Sequence, residues 1–96
     1  MWFGNLVTFK WWDDLWLNEA FATFISYVCL DQNKWPEEFK FGDAWTKFIF
    51  YKRDGVSEDS LESTFPIVAE VKDTDANSQI YNSIVYSKGS SVLKQL

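Results

Sequence analysis

The chain has 96 residues, with nine Lys/Arg against fourteen Asp/Glu and a net charge of −5, and its pI is near 4.5. That leaves room for one small domain or a piece of a larger one, and the acidity excludes the basic footprint of a nucleic-acid binder. Hydrophobic residues at 47% and charged residues at 24% describe a globular chain, while a single cysteine excludes an internal disulfide.

Residues 2–12 are mostly apolar and include Trp2, Trp11 and Trp12. They show no basic n-region with an apolar core, so no signal peptide is expected, and no apolar run is long enough for a membrane span. Trp11-Trp12-Asp13-Asp14 predicts a turn into a helix, with Asp13 or Asp14 as candidate caps. Residues 15–30 hold neither Gly nor Pro and predict a helix. Its apolar positions cover almost the whole circumference, which belongs inside a larger body. Pro36 followed by Glu37 and Glu38 signals a second helix start. Phe41, Ala44, Trp45, Phe48 and Ile49 then form an amphipathic stripe, with Lys52, Arg53 and Gly55 suited to the helix end. Residues 55–82 are acidic and irregular, with a short strand expected at 67–71. Such long irregular stretches are usually functional or supported from elsewhere. Residues 83–96 predict a final helix with Val92, Leu93 and Leu96 on one face. The chain is expected to be mainly α.

No histidine is present, so neither a Ser-His nor a Cys-His dyad can form. Glu19 lies in the first helix, and no Lys or Arg occurs from Leu15 to Gln32. Burying that carboxylate unpaired costs several kcal/mol, so it needs a cation, a donor cluster or a metal from elsewhere. An ordinary ion-paired glutamate and a metal ligand both remain open on spacing alone. Tyr86 stands at a helix entrance, either as a packed tyrosine or as a hydroxyl donor to a developing oxyanion. Lys88 is expected to be solvated, and Cys29 to be a small buried hydrophobe.

The blocks Trp2-Phe3-Gly4-Asn5-Leu6-Val7-Thr8 and Trp11-Trp12-Asp13-Asp14-Leu15-Trp16-Leu17-Asn18-Glu19-Ala20-Phe21-Ala22 resemble zinc aminopeptidases of the aminopeptidase N type. These are gluzincins with a thermolysin-like catalytic domain. Trp35-Pro36-Glu37, Asp59-Ser60-Leu61 with Pro66-Ile67, and Ile84-Val85-Tyr86-Ser87-Lys88-Gly89 are similar to further blocks of that family. The resemblance implies that Glu19 is the third zinc ligand. In that family eighteen residues separate this ligand from the second histidine of H-E-x-x-H, which would put the histidine just before Met1. It implies that Tyr86 stabilises the oxyanion during hydrolysis of a peptide's N-terminal residue by metal-activated water.

Phe65 and Asn82 replace the family's usual His and Asp. The H-E-x-x-H helix and the G-x-M-E-N strand are absent from these residues. Residues 1–96 are therefore expected to be the C-terminal part of a peptidase catalytic domain, needing a missing N-terminal part. Zinc is expected in the intact enzyme but not tightly on this chain alone. By position, Asn18 and Thr23 are candidates to orient ligands. The alternative is an inactive truncated paralogue acting as an interaction module. One unpaired cysteine and no Asn-x-Ser/Thr sequon lean towards the cytoplasm.

Overall fold

A computed structural model describes residues 2–32, 36, 42–70 and 81–96. Trp2–Leu6 forms a tight turn rather than a helix, because Gly4 has φ 124°. Val7 closes that turn, its carbonyl accepting from Gly4 at 2.6 Å and its N–H donating to Trp2 at 2.9 Å. A short 3-10 turn, Trp12–Asp14, leads into helix α1, Leu15–Gln32. Helix α2 spans Ala44–Asp59. A π turn, Ile84–Lys88, runs directly into helix α3, Gly89–Gln95. Among the described residues the architecture is helical and holds no β-strand.

Local chemistry explains these boundaries. At Gly42, φ is +72°, a conformation that glycine adopts without a Cβ penalty. Asp43 follows as the N-cap of α2, accepting from the Trp45 N–H at 3.0 Å and from the Thr46 hydroxyl at 2.5 Å. Asn82 does the same for the π turn, accepting from the Ile84 N–H at 2.9 Å. The residues around the helix start expected at Pro36 lie outside the described residues, as does Phe41. Ala44 and Phe48 of the expected stripe are buried, whereas Ile49 is exposed.

Several expectations are corrected. Lys52, Arg53 and Gly55 do not end α2, which continues to Asp59. Gly55 is instead buried in mid-helix, where a Cβ would stand 2.7 Å from the Lys88 nitrogen and 2.9 Å from the Ser87 Cβ. The glycine serves a close approach between elements, not a terminus. No strand forms over residues 67–70. Cys29 is exposed, not buried. On α3 the buried residues are Gly89, Ser90 and Ser91, while Val92 and Leu96 are exposed.

The core is a seam of small residues. Helix α1 packs on the π turn and on α3, while α2 packs chiefly on the π turn. At the first contact a Cβ on Gly89 would lie 2.8 Å from the Ala20 Cβ. The buried Ser90 and Ser91 hydroxyls both donate to the Ser87 carbonyl, at 3.2 and 2.6 Å, so they need no partner outside the helix. Aromatic rings flank the seam, with Tyr27 edge-on to Phe48 at 5.0 Å and Phe24 6.4 Å from Trp45.

Candidate functional site

Ala20 lies beneath Gly89, and this close approach brings α1 against the π turn. Glu19, the residue before Ala20, then meets Tyr86, three residues before Gly89. The Tyr86 hydroxyl faces the Glu19 carboxylate closely enough for that charge to act on it. Burial pushes the Tyr86 hydroxyl up to about 12, and the negative charge of Glu19 pushes in the same direction. Tyr81 and Tyr51 add smaller contributions, and the Tyr81 ring lies 6.4 Å from that of Tyr86. Tyr86 is therefore a neutral hydroxyl with a hydrogen to donate throughout the physiological range.

Asn18 and Thr23 occupy different surroundings. Asn18 points towards the N-terminal turn, its Nδ2 standing 3.3 Å from where a Gly4 Cβ would be. With Phe3, Phe9 and Phe21 it lines a cavity of about 150 Å³. Phe3 stacks on Phe21 there at 5.3 Å. Thr23 is half-buried one helical turn after Glu19, and its carbonyl accepts from the Ser26 hydroxyl at 2.6 Å.

Two residues escaped the sequence reading. Lys88 is not a freely solvated side chain, because its Nζ is 2.8 Å from Asp59 Oδ1 at the end of α2. The Thr64 hydroxyl donates to the same oxygen at 2.9 Å. These donors hold the Asp59 carboxyl below its ordinary value, with the Lys88 hydrogen bond as the main cause. Both residues lie inside motif blocks, but nothing periodic links positions so far apart in the chain.

Among the described residues no three His, Cys, Asp or Glu side chains converge. Glu19 suits zinc as a carboxylate ligand, and catalytic zinc takes three protein ligands. Among the described residues no helix is long and apolar enough to cross a membrane.

Comparison with known proteins matches residues 1–96 to the peptidase family M1 domain. The chain is 47% identical over 98 residues to the Tricorn protease-interacting factor F2 of Thermoplasma volcanium, covering 99% of the chain and 12% of that protein. It is 44% identical over 100 residues to aminopeptidase N of Streptomyces lividans, covering 100% of the chain and 11% of that protein. It is 43% identical over 95 residues to aminopeptidase M1 of Arabidopsis thaliana, covering 99% of the chain and 10% of that protein. The chain thus spans about an eighth or less of the length of these relatives. With its helical architecture and a match along its whole length, the chain belongs to the M1 family of metallopeptidases, a family of aminopeptidases.

Proposed function

We propose that residues 1–96 are part of the catalytic domain of a zinc aminopeptidase, in which Glu19 is a zinc ligand and Tyr86 is the hydroxyl donor to the reacting carbonyl. The observation that carries this reading is the packing of α1 on the π turn, where the close approach of Ala20 and Gly89 sets Glu19 and Tyr86, from opposite ends of the chain, side by side. Zinc, when bound, supplies a Lewis acid that polarises the carbonyl and activates water. Glu19 contributes a charged oxygen ligand. Tyr86, kept neutral by burial and by the nearby carboxylate, donates its hydrogen to the carbonyl oxygen as negative charge develops there. Asn18 and Thr23 are proposed to steady α1 around Glu19. The substrate class is a peptide with a free N-terminus.

One ligand does not make a catalytic site, so the remaining ligands and the general base must come from a segment carrying H-E-x-x-H. The chain by itself is expected to be inactive. The exposed Trp2, Leu6 and Trp11 favour, as a second reading, a module that works through its apolar face.

The test places these 96 residues in a full-length family enzyme in place of the corresponding segment. Glu19→Gln should weaken zinc binding, because a neutral amide is a poorer ligand. Tyr86→Phe should leave zinc in place and lower kcat about 10²–10³-fold, the usual cost of one oxyanion donor. Full kcat in Tyr86→Phe would remove the role assigned to that residue. A folded chimera that never holds zinc would favour the interaction module.

A further inference from the structure

The structure assigns Asp59 and Lys88 a positioning role: with Gly55 they clamp the π turn to α2 and so fix where the Tyr86 hydroxyl stands. This inference rests on the reading of Tyr86 as the carbonyl-oxygen donor.

Tyr86 sits in an irregular stretch of backbone. The Ser83 carbonyl accepts from both Ser87, at 2.9 Å, and Lys88, at 3.0 Å, so the helix is one residue wider beneath the tyrosine. Such π turns are rare and are common at functional sites. Tyr86 and Ser87 still donate to the carbonyls four residues back, at 3.2 and 2.9 Å, and the widening begins at Lys88, where the Ser83 carbonyl takes a second donor, so the contacts made by Lys88 bear on the turn's shape. Here α2 supplies those contacts at two points one helical turn apart. At Gly55 the missing Cβ lets the Ser87–Lys88 backbone settle against the helix. At Asp59 the carboxylate holds the Lys88 Nζ at 2.8 Å, while Thr64 donates to the same carboxylate oxygen. Both points act on Lys88, two residues beyond Tyr86.

A partly exposed ion pair contributes little to stability in general, and the Lys88 and Asp59 side chains are 33% and 35% exposed. The pair's main effect is therefore on geometry. Glu19 lies on α1, which packs on the π turn from its other side, whereas Asp59 and Gly55 touch only the Ser87–Lys88 side, so the loss of the clamp is expected first at the tyrosine.

The experiment uses the same full-length chimera, with Asp59→Asn, Lys88→Met and the reversed pair Asp59→Lys/Lys88→Asp. The single variants should lower kcat about tenfold, within the roughly 10²-fold that a 1 Å misplacement can cost. KM and bound zinc should stay unchanged. The reversed pair should recover most of the lost rate, which a loss of packing alone would not allow. Should Lys88→Met fail to fold, Asp59→Asn and the reversed pair carry the test. Full kcat in both single variants, in a background where Tyr86→Phe is slow, would overturn the clamp and leave the tyrosine's role intact. A Tyr86→Phe variant as fast as the parent would overturn both.

Discussion

Two regions of the molecule pack by opposite means. Along the seam joining α1, α2 and the π turn, glycine, alanine and serine allow close approaches at Gly55 and Gly89, and Leu15, Phe48, Ile84 and Val85 are buried beside them. Around the N-terminal turn the residues are large, and Trp2, Leu6 and Trp11 are 71%, 68% and 62% exposed. An aromatic-rich chain would be expected to build its site from rings. Instead small residues bring Glu19 and Tyr86 together, while many of the largest apolar side chains face outward. Exposed apolar surface of this kind marks contact with something further.

The largest expected effect lies at the seam. In Gly55→Ala the new Cβ would lie 2.7 Å from a backbone nitrogen that cannot swing aside. Alanine's helix propensity favours the change by about 1 kcal/mol, whereas overpacking costs about 1–3 kcal/mol. Net destabilisation is expected, read as a lower unfolding midpoint of the full-length chimera. A stabilised variant would mean that the seam is loose. Next comes Lys94→Ala on the rim. The Lys94 Nζ stands 3.1 Å from the centre of the Trp45 ring, and its loss should cost about 0.5–1 kcal/mol in the same measurement.

A further effect is confined to acid. Asp59 is held below its ordinary value of 3.8. Its contribution is present above that pH and is lost as pH falls through the lower folded-state value. Asp59→Asn should flatten that part of the stability–pH curve, followed by denaturant titration in buffers below pH 3.8. The smallest effect is expected outside the seam. Leu6→Ser and Trp11→Ser should each change stability by no more than about 0.5 kcal/mol. They should nevertheless reduce hydrophobic-dye binding or self-association of the 96-residue chain. A large loss of stability would show that the N-terminal turn is part of the core.

Much of this was legible in the residues themselves. The long run without Gly or Pro announced α1, and the blocks around Glu19 and Tyr86 marked both residues before any coordinates. Gly55 was misread because a glycine after Lys52 and Arg53 looks like a helix end. Only the close passage of Ser87 and Lys88 explains a glycine inside the helix. Lys88 was misread because its partner Asp59 comes from another element, beyond the reach of any periodic pattern. The Asp43 cap could have been found, since an aspartate directly before the apolar Ala44-Trp45 is a preferred N-cap. The buried side of α3 could not, because it is built from Gly89 and two serines that hydropathy counts as polar.

The central claim is that this chain, through its own packing, sets the Tyr86 hydroxyl against the Glu19 carboxylate. It is tested most directly by titrating Tyr86 in the metal-free 96-residue chain, by NMR of labelled tyrosine rings, with and without Glu19→Gln. Tyr86 should titrate at about 12, above the ordinary 10.0. Because its folded-state value is raised, its contribution to stability is present below pH 10.0 and is lost as pH rises through about 12. Removing the Glu19 charge should bring Tyr86 down towards 10.0 without reaching it, since burial, the larger cause, remains. A Tyr86 that titrates at the ordinary value in the parent chain, or that does not respond to Glu19→Gln, would contradict the account.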